Sequence, residues 1–184
     1  VVGPWVHKYP HFAVPEPKIG FLQEALRWWD RWLKDIETGV EKDPKYTVHL
    51  MDGVRPQSWY AERRGVWVNE DNWPDGPKIS TFSLVDNSKL AEYYMTHDLN
   101  DIVCSPQDCG LDGGEYCAIW LGPEMPGDQR RDDSYSQCYD SETLTERLDI
   151  IGSPVIQLKI KSDSKSGQVI VRLNHIHPDG ASTR

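Results

Sequence analysis

Residues 1–7, Val1-Val2-Gly3-Pro4-Trp5-Val6-His7, pair an apolar strand end with a Gly-Pro break and a histidine. A strand leaving a sheet in this way lifts His7 onto a loop at the carboxyl edge, where open α/β sheets place ligands and catalysts. An imidazole there titrates near neutral pH, at about 6.5 when unperturbed, which suits a general base that takes a hydroxyl proton and later returns it. Standing alone, such a histidine is more often an ordinary surface or structural residue.

Outward from this loop comes one long helical pattern. Ile19, Leu22, Leu26, Trp29, Leu33 and Ile36 fall on one face, with Gln23, Glu24, Arg27, Asp30, Arg31 and Lys34 between them. Pro15 and Pro17 precede it and Gly39 stands where a left-handed cap belongs, so the spacing predicts a helix over Lys18–Thr38. Trp28 and Trp32, four apart on the flank of the stripe, read as core packing.

Beyond the helix the texture becomes short β-rich runs between Pro, Gly, Asp and Asn: Tyr46–Met51, Gly65–Val68, Ile79–Leu84, Glu146–Ile151, Val155–Lys161 and Gln168–Ile176. In the last two, Ile156, Leu158 and Ile160, then Val169, Val171 and Leu173, alternate with other residues, so each strand is expected to bury one face. The stretch from Asn87 to Cys138 reads as an extended connection with a short strand at Glu115–Trp120. Val1-Val2 reads as the end of a buried strand, and His177-Pro178-Asp179-Gly180 as a turn leading into a further one, so the chain is expected to be a piece of something longer.

Composition narrows the function classes. Lys and Arg number 20 against 29 Asp and Glu, a formal charge of -9, which argues against binding a phosphate backbone and so against a nucleic-acid partner. No run approaches the roughly 18–20 apolar residues of a membrane span, and the mean hydropathy is -0.62. No membrane partner is expected, and a cytoplasmic location is.

Gly3-Pro4-Trp5-x-His7, the helix segment Arg27-Trp28-Trp29-Asp30-Arg31-Trp32-Leu33-Lys34 and Trp73-Pro74 occur in one order. They are joined by Pro44 ahead of Tyr46–Met51, the Trp59 and Trp67 region, Pro126-Gly127-Asp128-Gln129-Arg130-Arg131-Asp132-Asp133, and Val171-Arg172-Leu173 followed by Pro178-Asp179-Gly180. In that order the chain resembles the cocaine esterase, α-amino-acid ester hydrolase and X-prolyl dipeptidyl-peptidase family. The resemblance implies an α+β fragment: residues 1–43 as the C-terminal end of an α/β-hydrolase domain, and residues 44–184 as the first part of a jelly-roll sandwich. It implies a Ser-His-Asp triad working through an acyl-enzyme on a small ester, amide or X-prolyl peptide substrate. The chain order Ser, acid, His leaves only His7 in this portion as a catalytic residue, and no Gly-x-Ser-x-Gly is present. The portion alone is expected to be inactive. Its partners are then the remainder of the same protein and, in some assemblies, further copies of it; no cofactor is expected. The competing reading is a non-catalytic β-sandwich module that binds carbohydrate or protein.

Three other constellations have readings of their own. Cys104, Cys109 and Cys117 with His97 are spaced poorly for zinc knuckles, which favours free thiols or a loop disulfide. Asp128, Asp132, Asp133 and Asp140 are interleaved with Arg130 and Arg131, which suits an ion-pair seam better than a calcium site. The eight Trp residues could stack on sugar rings but read as core and contact surface, and His175-x-His177 needs help from elsewhere to hold a metal.

Overall fold

The computed structural model describes residues 1–72, 79–95, 99–114 and 125–184. The expected strand at 115–120, together with Trp73-Pro74, His97 and Cys117, lies outside these residues. The elements are α1 (Phe21–Lys34), a 3-10 turn at Val40–Lys42, β1 (Tyr46–Met51), β2 (Gly65–Glu70), β3 (Ser83–Val85), β4 (Lys89–Ala91), a second 3-10 turn at Leu111–Gly113, α2 (Arg130–Ser134), β5 (His175–Ile176) and β6 (Ser182–Thr183). The strands form three antiparallel pairs, β1 with β2, β3 with β4 and β5 with β6. The chain is thus a small β-rich unit, and no closed sandwich or α/β-hydrolase sheet forms among the described residues.

The β1–β2 pair is the best-built part; β1 matches the expected run Tyr46–Met51 and β2 extends the expected Gly65–Val68 to Glu70. Its register sets His49 opposite Trp67 and Met51 opposite Gly65. A Cβ on Gly65 would lie 2.9 Å from the Leu50 carbonyl carbon and the Met51 Cα, so only glycine allows so close an approach. Val2 extends this pair by a single parallel bridge to Val48, its N–H donating to Thr47 O at 2.8 Å and its carbonyl accepting from His49 N at 2.9 Å. The expectation of a buried strand end at Val1-Val2 is corrected, because one bridge covers little surface and Val1 and Val2 stay exposed.

Helix α1 is shorter at both ends than predicted. Asp35 takes the left-handed conformation, φ 55°, and Ile36 N–H donates back to Asp30 O at 3.1 Å, which closes the helix four residues before the expected Gly39 cap. Gly39 is left-handed too, φ 79°, but opens the 3-10 turn at Val40–Lys42. The helix meets that turn through its charged side. Arg27 bonds Glu24 and Asp43, and Arg31 bonds Asp35 and Glu41. Its apolar stripe therefore faces outward, with no buried residue in the helix and Leu26, Trp29 and Leu33 at 58%, 53% and 73% exposure. The expected core packing of Trp28, Trp29 and Trp32 is corrected on the same ground.

The runs at 146–151, 155–161 and 168–174 are not in strands; only His175–Ile176 of the last becomes β5. The pattern specifies two faces, but a strand also needs a neighbour to complete its ladder, and none of the described segments pairs with these runs. Ile79 is likewise outside β3, which begins at Ser83. The buried apolar residues are Ala13, Val40 and Ala181, whereas Gln129, Asp132 and Ser182 are fully buried polar ones. The accessible surface is 14491 Å². A compact chain of this mass would expose about 9,000 Å², so apolar faces built for contact remain uncovered.

Candidate functional site

The loop carrying His7 is tightly held. The Trp5 indole N–H donates to Pro17 O at 2.7 Å, and its ring lies 6.2 Å from that of Trp67 on β2. A Cβ on Gly3 would fall 2.6 Å from the Trp5 ring, so Gly3 makes room for the indole. His7 itself is exposed on the turn that follows. The recess lined by its neighbours Val6 and Lys8, with Pro15, Trp59, Tyr60 and Met125, measures about 20 Å³. That is space for a single water, so the acyl pocket of a hydrolase is not formed by these residues.

The most elaborate constellation lies elsewhere, where α2 meets 172–174 and the β5–β6 pair. Arg172 donates to Asp133 Oδ1 at 3.0 Å, to Ser136 Oγ at 2.9 Å and to Gln129 Oε1 at 3.5 Å, and stands 3.6 Å from Asp132 Oδ2. Asn174 Nδ2 donates to Asp133 Oδ1 and to Ser182 Oγ, and Ser182 Oγ donates to Asp133 Oδ2 at 2.6 Å. Gln129 Nε2 closes the network on the carbonyls of Asp112 and Gly127. Burial alone would raise the Asp128 carboxyl, but the Arg130 side chain and the N–H groups of Arg130 and Ser182 hold it below its ordinary value. The expected seam of interleaved charges is present, with Arg130 on Asp128 and Arg131 on Asp108. Its central cation is Arg172, which stands between the apolar Val171 and Leu173 in the sequence. Asp140 stands apart, its backbone bonded to Ser88 and Leu90.

The network is held together by its own donors and acceptors, with the Ser136 and Ser182 hydroxyls donating to the Asp132 carbonyl and to the Asp133 carboxylate. Burial first, then Asp133 and Asp140, push the Cys138 thiol up, away from the thiolate form. Burial and Asp101 raise the Tyr139 phenol to about 12. Cys104, Cys109 and Cys138 are free thiols, and no group of three or more His, Cys, Asp and Glu among the described residues is arranged to hold a metal. No helix among the described residues is long and apolar enough to cross a membrane. Trp28 and Trp32 lie 5.7 Å apart but tilted by 55°, so they form no flat stacking platform.

Comparison with known proteins puts the residues of this network inside the match to a non-catalytic domain family. The model of the X-Pro dipeptidyl-peptidase C-terminal non-catalytic domain matches residues 38–184. The cocaine esterase of Rhodococcus sp. (strain MB1 Bresler) is 24% identical over 204 residues, covering 98% of this chain and 33% of that protein. The chain thus spans about one third of the length of that relative. No solved structure matches it.

Proposed function

The chain belongs to the X-Pro dipeptidyl-peptidase C-terminal non-catalytic domain family, and from that premise we propose that it works by docking: a β-rich module that binds the catalytic α/β-hydrolase domain of a serine hydrolase. The observation that carries this is the outward stripe of α1, where Leu22, Leu26, Trp29 and Leu33, flanked by Trp28 and Trp32, are all more than half exposed; α1 lies ahead of the matched residues 38–184, in the segment expected to close the hydrolase domain, so its stripe is a face for the rest of that domain to cover. An amphipathic helix gains most of its stability by burying such a face, and large exposed apolar patches mark contact surfaces. Ile156, Leu158 and Ile160, with Val169, Val171 and Leu173, add sheet-forming rows that a jelly-roll would bury. The test is fluorophosphonate labelling of the native polypeptide that contains this sequence. A singly labelled species much larger than 21.1 kDa is expected; an unlabelled one refutes the hydrolase assignment.

A second reading concerns His7. All but a few of residues 1–37 lie inside the match to the cocaine esterase and outside the non-catalytic match. We infer that His7 is the general base of the triad in the whole protein, acting on an ester, amide or X-prolyl peptide bond whose Ser and Asp partners come from the docked domain. His7→Ala in the whole protein should abolish turnover while leaving the folded state intact. Unchanged turnover would remove His7 from the mechanism.

A further inference from the structure

His175 and His177 lie two residues apart at the β5–β6 pair, with ring centroids 4.2 Å apart. His177 Nε2 is 2.9 Å from Thr183 Oγ1, and Thr183 Oγ1 donates its proton to Val54 O at 2.9 Å. A hydroxyl has one proton. Because that proton is committed to Val54, Thr183 must accept from His177, which fixes the proton of the neutral ring on Nε2 and leaves the lone pair on Nδ1. The His175 ring lies against Gly53: a Cβ there would sit 3.0 Å from both Nδ1 and Cε1. Its Nδ1 edge thus faces the backbone at Gly53 and its Nε2 is the nitrogen left for a ligand.

We propose that His175 and His177 form a two-imidazole chelate for a divalent transition-metal ion of the nickel, copper and zinc class, through Nε2 of His175 and Nδ1 of His177. Two metal–nitrogen bonds of about 2.0–2.1 Å span nitrogens up to about 4 Å apart, and the ring separation puts such nitrogens within reach. The hydrogen bond from His177 Nε2–H to Thr183, and from there to Val54, is the outer contact by which ligating histidines are oriented and made more basic. No third His, Cys, Asp or Glu among the described residues completes the set, so the other positions on the ion belong to water or to a ligand brought by a partner. Imidazole donors and open positions suit this class of ion rather than calcium or magnesium, which take oxygen. A bound ion would tie β5 to the turn that follows it, and through Thr183 to the chain just after β1.

The probe is Ni²⁺ alone, which does not oxidise the free thiols, titrated into the whole protein at pH 7.5 and followed by the NMR line widths of the histidine ring protons. The resonances of His175 and His177 are expected to broaden first. In His175→Gln and His177→Gln that first step should disappear, and in Thr183→Val it should need about tenfold more Ni²⁺, the smaller of the usual outer-contact losses. If a variant fails to fold, the wild-type map still decides: broadening that begins at His7, His11 or His49, or leaves His175 and His177 sharp at millimolar Ni²⁺, overturns the proposal. A glutamine variant that keeps the wild-type Ni²⁺ affinity does so as well.

Discussion

Replacing Arg172 by alanine should be among the most damaging single changes available in this chain. Its side chain is 12% exposed, Asp132 beside it is fully buried and Asp133 is 19% exposed. Alanine removes three hydrogen bonds, to Gln129, Asp133 and Ser136, and leaves two carboxylates facing one another without their cation. Breaking a buried ion pair from one side costs about 3–5 kcal/mol. Because Asp133 keeps Asn174 and Ser182 as donors, the lower end applies, about 3 kcal/mol. For a chain of this length each kcal/mol moves the midpoint by about 2–4 °C, so thermal unfolding followed by circular dichroism should show a fall of roughly 6–12 °C. Arg147→Ala serves as the comparison, since Arg147 pairs with Asp52 and Asp149 at 57% exposure and should cost no more than about 1 kcal/mol. If Arg172→Ala lowers the midpoint no further than Arg147→Ala, the seam does not hold the structure together and the reasoning fails. Asp132→Asn combined with Arg172→Met should cost less than the sum of the single changes, because the pair then leaves together.

Other outcomes follow from the same geometry. Gly65→Ala should destabilise the β1–β2 pair by at least about 1 kcal/mol, since the new Cβ meets backbone and not a movable side chain; urea unfolding would measure it, and a neutral result would mean the strands part easily. Asp43→Ala breaks an exposed pair with Arg27 and should change stability by less than about 1 kcal/mol in the same assay. Leu26→Glu should leave the thermal midpoint of this chain nearly unchanged, because Leu26 is already 58% exposed, yet weaken binding of a catalytic domain in calorimetry; unchanged binding would move the docking face elsewhere. Stability should also fall on acidification below about pH 6.5. His49, through burial first and then Arg63, and His175, through burial first and then His177, both have folded affinities for protons lowered below the unfolded value. The unfolded chain then takes up protons first, and the stability present above that pH is lost as it drops. His49→Phe with His175→Gln should flatten this dependence, as read by unfolding at pH 7.5 and 5.5.

Two strand segments and the helix were legible in the sequence, whereas strand pairing and tertiary burial were not. Tyr46–Met51 matches its expected run, Gly65–Glu70 extends the expected Gly65–Val68 by two residues, and the stripe of α1 is where a period of 3.6 puts it. Which face of a pattern is covered depends on what lies beside it. Over 171–174 the alternation is kept, but Arg172 and Asn174 turn to the seam while Val171 and Leu173 are exposed, as are Val169 and Ile170 before them. An apolar row carries a strong prior for burial, and here the polar row wins because Asp133 and Ser182 supply it with charge-assisted bonds. The acidic run of α2 announced the seam through Arg130 and Arg131, yet those arginines sit on its outside. The cation at its centre comes from about forty residues further along, a separation that no local spacing encodes.

The distribution of burial in this chain is inverted, and the inversion is informative. A self-sufficient domain puts leucine, valine and tryptophan inside and tolerates a few bonded polar groups among them. Among the described residues the largest fully buried side chains are Gln129, Asp132, Ser182 and Pro15, and the tryptophans and branched residues of α1, 155–160 and 169–173 are outside. Directional bonds of the Arg172–Asp133 kind fix which segments meet and in what register, but their net contribution is small because each replaces bonds to water. The non-directional contribution that stabilises a fold comes from apolar area, and most of this chain's apolar area is still turned outward. Docking then does two things at once. On the proposed reading it covers the stripe of α1 and the sheet-forming rows, and it supplies the stability that the polar seam alone does not. A module of this kind is expected to gain its full stability with its partner, so the midpoint measured for the whole protein should exceed that of the chain alone by more than any single substitution within the seam.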